Sequence, residues 1–527
     1  MRVLKTITAS VCILFASQLY AAGVDLTGVG ARAQALGNYR AIAEDWSAMY
    51  WNPAGLTQTK GWHAGASLEF ITPTVGYTPA TYESPVLGPG QQFSTLRYEN
   101  TENEPKTFLT PAAGVYYTGE KWAFGLGFWA PFGLGATWDL MQESLYNPNY
   151  PMIEFEDDLK VIDIHPTVAY KLNDKLSVGA GLSLVYADIM IRKPNFTPNP
   201  VQGLLQVAVS PTFKETFGAA NAMYVAGSIM GLQSTFADPT SHLLTEVDMQ
   251  GDGMGFGFNF GIKYDLTESF SVGISGQVYN DVELEGTLTK DTYFAHMNDG
   301  GAAYSTVNGV LDSLQTLTAP AGGLQAIGID PQAEGAMRGM YSGGLGGNPG
   351  VVKGNPVDIK ADMPLPMRFG LGVAYKGIKN LLVSADVAWT QWSTWDVIAI
   401  EPVSEADADE AAELVENWED GIRAGIGLEY ALSKVKLRGG FYTEPRAAVT
   451  TTMTPAIPDV NRRNVIIVGL EIPLGLIKLH ASYEKMFIGD LDFTEWQQNP
   501  EGTGYENLPG LYDMNVSMVM FGLDYDF

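Results

Sequence analysis

The side chains that most often carry chemistry are sparse in this chain and scattered. Five histidines, His63, His165, His242, His296 and His480, are spread over 527 residues. No Gly-x-Ser-x-Gly, His-Glu-x-x-His or Cys/His cluster accompanies them. Those spacings put a nucleophile on a strained turn or two metal ligands on one helix face. The single cysteine, Cys12, sits in an apolar N-terminal run. Beyond that run there is no thiol, disulfide or Cys-based metal site. Gly28-Val29-Gly30-Ala31-Arg32-Ala33 imitates a dinucleotide fingerprint, but no strand precedes it and no βαβ unit surrounds it. Asp248 to Gly253 mixes acids and glycine without the full calcium-loop pattern. No catalytic residue, cofactor or metal is expected.

The elements that remain point to a membrane. Hydrophobic residues make up 46% and aromatics 11%, while charged residues are only 17%, against about 25% in soluble domains. The formal net charge is -28. That excludes nucleic acid, which needs a basic surface, and docking on anionic lipid through a polybasic patch. The acidic run from Glu405 to Asp420 reads as solvated loop, with cation-bridged lipopolysaccharide as the other use of such charge.

Met1-Arg2-Val3-Leu4-Lys5, the apolar run Ile7 to Ala16 and the small residues Ala21-Ala22 read as a signal peptide over 1–22. No later apolar run reaches the ~20 residues a spanning helix needs. The run from Val465 to Leu479 is interrupted by Glu471 and Pro473.

Period-two alternation decides the class. Met254, Phe256, Phe258, Phe260, Ile262, Tyr264 and Leu266 alternate with Gly255, Gly257, Asn259, Gly261, Lys263 and Asp265. Leu176 to Tyr186 and Phe270 to Val278 repeat the pattern. The face opposite the apolar one is Gly, Ser and Asn rather than Lys and Glu, as in a barrel with lipid outside and a polar lumen. Short turns at Thr118–Lys121, Leu172–Lys175, Asp265–Ser269, Lys376–Asn380, Ala431–Lys434 and Ile472–Leu476 each join two alternating runs. Six hairpins, the run Trp62 to Phe70 and the closing run Val519 to Phe527 give fourteen strands. The expected fold is all-β: a 14-stranded antiparallel transmembrane β-barrel. Short turns and both termini are expected on the periplasmic side of a Gram-negative outer membrane.

The long connections then face outward. Residues 194–247 and 291–356 stand out as extracellular loops, with Val307, Val310, Leu311, Leu314 and Leu317 at helical spacing in the second. Such loops are functional more often than idle; an apolar surface groove that captures a greasy ligand is one use, mutual packing the other. A lumen of fourteen strands is too wide for wall side chains to fill. Residues 23–58 are Ala-rich, helix-prone and end in Asn52-Pro53-Ala54-Gly55-Leu56, so they are expected to form a partly helical hatch inside it. Residues 59–527 form the barrel.

Together these residues resemble the FadL/TodX (OmpP1) family of outer-membrane transporters for long-chain fatty acids and hydrophobic compounds. The resemblance is carried by the Gly-rich segment ending in Asn52-Pro53-Ala54-Gly55-Leu56, Ala169-Tyr170-Lys171-Leu172-Asn173, and Val185-Tyr186-Ala187. Trp389-Thr390-Gln391-Trp392-Ser393, Ile457-Pro458-Asp459 with Arg462, and the terminal Phe527 add to it. It implies surface capture between two long loops, an inner ligand site, a gate at Asn52, Pro53, Ala54 and Gly55, and lateral exit through the wall after the hatch shifts. A fatty-acid site needs an apolar lining and a cation. Lys193, inward by parity and matching a basic family position, is the expected cation, beside Trp392. The family's second basic position, beyond Trp392, reads Asp396-Val397-Ile398-Ala399-Ile400 here, so Arg462 and Arg463 are the substitutes. Ligands are therefore hydrophobic or amphipathic small molecules. Neutral aromatic hydrocarbon uptake, or a non-transport adhesin or structural barrel, are the alternatives. The barrel is expected to be a monomer among outer-membrane lipid and lipopolysaccharide.

Overall fold

The computed structural model describes residues 24–527 except 27, 38–39, 42, 84–91, 95–101, 141–154, 198–210, 212–213, 216–217, 225–242, 294–301, 328–330, 332–333, 335–337, 339–350 and 498–505. The expected signal peptide lies outside the described residues. A twenty-stranded antiparallel sheet closes on itself. Fourteen strands make the wall: β1 (Gly61–Pro79), β2 (Phe108–Thr118), β3 (Trp122–Trp138), β4 (Phe155–Lys171), β5 (Leu176–Thr197), β6 (Leu243–Thr267) and β7 (Phe270–Tyr279), then β8 (Arg368–Ile378), β9 (Leu381–Thr390), β10 (Gly421–Leu432), β11 (Val435–Glu444), β12 (Arg463–Leu474), β13 (Ile477–Ile488) and β14 (Gly510–Asp526). Closure is by β1 on β14, in register from His63↔Asp526 to Pro79↔Gly510.

The alternation in the sequence becomes the two faces of the wall. On β6, Phe256, Phe258, Ile262, Tyr264 and Leu266 are exposed, while Asn259 and Lys263 are buried in the lumen. The exposed face is what hydrocarbon would cover. At the short-turn end it finishes in aromatic contacts, Trp62 on Tyr117 and Trp122 on Tyr170. The six short turns fall where the sequence placed them.

The long-loop end departs from the expected layout. Strands β5 and β6 are 22 and 25 residues long, against the ~9–11 needed to cross a bilayer. Residues 194–197 and 243–247 are therefore strand rather than loop. Residues 291–293 likewise finish the strand Val282–Tyr293, whose upper part pairs with β6. Further short strands, Val357–Met363, Val397–Pro402 and Ala412–Val415, carry the wall on past β8, β9 and β10. Helix α3 follows the hatch helices in chain order and spans Ala302–Thr318, with Val310, Leu311 and Leu314 buried.

The hatch fills the lumen at the level of the lower wall. It holds α1 (Ala31–Ala35), α2 (Ala48–Trp51) and a 3-10 turn over Pro53–Gln58. Asn52 caps that turn, its Oδ1 accepting from the Ala54 N–H at 3.2 Å. Val29, Leu36, Trp46, Met49, Tyr50, Trp51 and Leu56 pack on Tyr116, Trp129 and Leu382 of the wall.

The inward glycines exist for this contact. A Cβ on Gly179 would sit 2.6 Å from the Pro53 carbonyl carbon, and one on Gly261 would sit 2.1 Å from Asn52 Oδ1. Wall backbone lies directly against the Pro53 backbone at Gly179 and against the Asn52 side chain and Pro53 ring at Gly261, so any larger residue must move the hatch. Gly261→Leu is therefore expected to leave the barrel folded but push Asn52-Pro53 off the wall. Planar-bilayer recordings should show a raised ion leak in this variant with unchanged heat-modifiable mobility. An unaltered conductance would refute the fit.

Candidate functional site

Among the described residues the wall ladder opens between β2 and β3. Strands β2 and β3 pair only from Ala112↔Trp129 down to Thr118↔Ala123. Above Ala112, β2 stays with β1 through Pro111↔Leu68 and Ile71↔Phe108. Above Trp129, β3 shifts register against β4 between Trp129 and Phe132, and Pro131 through Trp138 are all buried. A proline stands on each strand at the break, and proline has no N–H to give to a ladder.

The edge of β3 exposed by this break is occupied by the hatch. Leu26 N–H donates to the Pro131 carbonyl at 2.9 Å, and Gly133 N–H donates to the Val24 carbonyl at 2.8 Å. Asp25 bridges to Phe132 as an antiparallel partner. Val24 and Leu26 are fully buried, in an apolar layer with Trp138, Trp392, Trp395, Trp418 and Tyr442. The polar edges of three of these indoles are satisfied within the protein: Trp138 Nε1 by Pro455, Trp395 Nε1 by Pro364, and Trp418 Nε1 by Glu416, each at 2.9 Å. What this layer offers inward is mostly apolar.

Beneath that layer the hatch and wall share buried charge. Asp25 Oδ2 pairs with Arg368 Nη2 at 2.5 Å. The same guanidinium donates to Thr390 Oγ1 and to the Tyr50 hydroxyl, both at 3.3 Å. Arg40 donates to Ser275 Oγ at 3.0 Å and lies over the Trp51 ring. Arg423 stacks on Tyr442, 3.6 Å from its centroid.

The hatch is held most firmly at its other end. Asn52 Nδ2 donates to the Ile262 carbonyl at 3.2 Å, Asn259 Nδ2 to the Met49 carbonyl at 2.7 Å, and Thr118 Oγ1 to the Leu56 carbonyl at 2.7 Å. Near the short turns, Arg32 grips Glu429 through Nε at 3.0 Å and Nη2 at 3.2 Å. Lys376 reaches Glu44 at 2.8 Å.

Comparison with known proteins places this barrel in a family. A family described as outer membrane protein transport protein (OMPP1/FadL/TodX) matches residues 12–527. The chain belongs to this family. A long-chain fatty acid transport protein of Escherichia coli O6:H1 is 24% identical over 333 residues, covering 60% of this chain and 64% of that one. The alignment thus spans just under two thirds of that relative. A solved FadL homologue from Pseudomonas aeruginosa superposes with a TM-score of 0.66 at 16% identity, over 96% of this chain and all of that one. The toluene transporters TbuX of Ralstonia pickettii and TodX of Pseudomonas putida superpose with TM-scores of 0.57 and 0.58, at 16% and 15% identity, over 95% of this chain and 99% and 98% of theirs. These likenesses establish a shared 14-stranded fold.

Within this FadL/TodX framework the residues singled out from sequence fall in different places. Lys193 shares the inward face of β5 with the buried Ile189 and Ile191. It interacts electrostatically with the buried carboxyls of Asp157 and Glu416. One cation therefore faces two acids, and neither Asp157 oxygen has a hydrogen-bond partner among the described residues. Trp392 is buried in the apolar layer, 5.5 Å from the Trp418 ring. Arg463 is buried and already paired with Asp459. Arg462 is exposed, so it does not join Arg463 at an inner site. The gate residues Asn52, Pro53, Ala54 and Gly55 are all buried against the wall.

The sequence reading passed over Asp25, Arg368, Arg423, Asp157 and Glu416. The available signal was parity. Arg368 and Arg423 each stand beside an outward apolar residue, Phe369 and Ile422, and so had to face the lumen.

Glu416 lies in the connection between the strand Ala412–Val415 and β10, at the long-loop end. Burial pushes its carboxyl up to about 7 from the ordinary 4.5, against the opposing pull of Lys193 and the Trp418 N–H. A carboxyl raised in the fold stabilises it only while protonated. The contribution is complete below about 4.5 and is lost as pH rises through about 7. Chemical unfolding followed by tryptophan fluorescence should therefore show stability falling over that window, and Glu416→Gln should flatten the fall. Parallel curves for the two proteins would rule this out.

Proposed function

We propose that the chain carries hydrophobic or amphipathic molecules, long-chain fatty acids foremost, across the outer membrane by surface capture, inner binding and hatch-gated lateral exit. The observation that supports this reading is the break between β2 and β3 with Val24–Leu26 seated on the bared edge of β3. A ligand bound in the apolar layer competes for the same space as Val24 and Leu26. When those residues leave, the wall has a side opening toward lipid, and an apolar molecule need never enter water. In this reading the short turns and both termini lie in the periplasm, and the barrel works as a monomer among lipopolysaccharide. The Asn52-Pro53-Ala54-Gly55 turn serves as the fixed pivot, packed against the inward glycines of β5 and β6 and bonded through Asn52 to the Ile262 carbonyl.

A second ligand class has its own support. Lys193 already interacts with the buried acids Asp157 and Glu416, so its charge is shared before any ligand carboxylate arrives. Two structural neighbours are named as toluene transporters. Neutral aromatic hydrocarbons are therefore the alternative cargo. Membership of a transport family places uptake ahead of the adhesin and structural readings.

The gate can be locked directly. Gly133 and Val24 are directly opposed across the Asp25↔Phe132 bridge, and the chain has no cysteine after Cys12. The double variant Val24→Cys, Gly133→Cys should cross-link the hatch to β3 under oxidation. Uptake of radiolabelled palmitate and toluene by cells carrying it is expected to fall at least to roughly a tenth and to recover on reduction. Undiminished uptake in the fully cross-linked protein would overturn the mechanism.

A further inference from the structure

We infer that Arg368 is the carboxylate-binding group of the inner site, and that Asp25 is a built-in competitor which occupies it until a ligand's own carboxylate takes its place. The inference rests on the transport reading above and deepens it, because it says which ligand class releases the hatch.

Four observations carry it. First, the pair joins the two parts that must separate. Asp25 is the middle residue of the run bonded to the edge of β3, and Arg368 opens β8 on the far wall. Second, the pairing is incomplete. Asp25 engages one guanidinium nitrogen through Oδ2, while its Oδ1 is buried with no partner among the described residues. The other two contacts of Arg368, to Thr390 and Tyr50, are long at 3.3 Å. A guanidinium presents a planar fork that a mobile carboxylate can meet with both oxygens. An incoming head group can therefore make a better pair than the one it breaks.

Third, the residues flanking Asp25 belong to the apolar layer. Val24 and Leu26 touch the cluster of Trp138, Trp392 and Tyr442. A ligand whose head lies on Arg368 leaves its chain where Val24 and Leu26 now sit. Fourth, the charges balance only for an anion. Exchanging one carboxylate for another keeps the buried guanidinium compensated. A neutral molecule that displaced Asp25 would leave Arg368 buried and unpaired, which is strongly unfavourable. The head group is thereby assigned to Arg368 at the hatch and away from Lys193, which already interacts with the acids Asp157 and Glu416. The ligand class is a long-chain monocarboxylate.

The experiment compares palmitate with hexadecanol, which has the same chain and no charge, on purified full-length protein. In wild type, palmitate should bind more tightly than hexadecanol. Asp25→Asn removes the competing charge while keeping the side-chain size. It is expected to tighten palmitate by roughly tenfold or more, and hexadecanol by a similar factor, because either probe must otherwise break the Asp25–Arg368 pair. Arg368→Gln should erase the preference for palmitate, and adding Asp25→Asn to it should have no further effect. Arg368→Lys, which keeps the charge without the fork, should retain part of the preference and guards against misfolding of the Gln variant; heat-modifiable mobility checks both.

Palmitate binding left unchanged by Asp25→Asn, or a palmitate preference surviving in Arg368→Gln, would overturn the assignment. Uptake of both probes in wild type separates the two levels of argument. If neither probe enters cells, the transport reading fails. If both enter but Asp25→Asn and Arg368→Gln bind the two probes as wild type does, only the role of Arg368 and Asp25 fails.

Discussion

A strand placed in hydrocarbon has no water to satisfy its N–H and C=O groups, so its ladder must close. Fourteen strands close it here, with β1 on β14. The rest of the molecule follows from that constraint. A ring this wide encloses more space than its own side chains fill, and the chain fills it with its first helical residues. Those residues need room, so the inward face of the wall is largely glycine and serine, and the backbone of β5 and β6 touches Pro53 and Asn52 directly. The same constraint makes the one break in the ladder inseparable from its occupant. Pro131 and Gly133 must bond to something, and they bond to Val24 and Leu26. Without those hatch residues two backbone groups of β3 would be unmet.

Charge in the lumen sorts the hatch into a fixed part and a releasable part. The Arg32–Glu429 fork and the amide bonds around Asn52 hold the part nearest the short turns. The first residues are held by two backbone bonds and the Asp25–Arg368 pair. Removing one partner of a buried pair costs about 3–5 kcal/mol, far more than a net hydrogen bond at about 1 kcal/mol. The ion pair therefore dominates the strength with which these first residues are held.

Much of this was legible in the sequence. Where a strand has lipid on one side and lumen on the other, period-two alternation survives, and β6 from Met254 to Leu266 could be read directly. The six short turns followed from the same signal. Alternation fails where both faces are covered. Pro131 through Trp138 of β3 are buried on both sides, and Val185, Tyr186 and Ala187 are buried in succession. The rise of β5 and β6 beyond the bilayer was assigned to loops, and the short strands above β8 to β10, although they alternate as at Val357, Ile359, Ala361 and Met363, were not counted as wall. Lys193 could be oriented by parity, but its surroundings could not, since Asp157 and Glu416 arrive from distant segments. Asp25 and Arg368 belong together only because the hatch folds back into the barrel.

The positions of the two cationic sites constrain how a ligand travels. Arg368 is opposite Gln277, Gln277 opposite Asn259, and Asn259 opposite Gly181 on β5. Lys193 lies well above that level, toward the long-loop end, so a molecule entering there meets Lys193 and its two carboxyls before it meets Arg368. That approach, on a chain of formal charge -28, does not favour an anion electrostatically. Apolar burial can more than offset it. Each methylene removed from water contributes about 0.8 kcal/mol, whereas unit charges 4 Å apart in water interact by about 1 kcal/mol. A few methylenes entering the tryptophan-lined layer outweigh the repulsion. The chain would then draw the head group down, and charge would act only at the hatch, where burial makes it strong enough to choose between ligands.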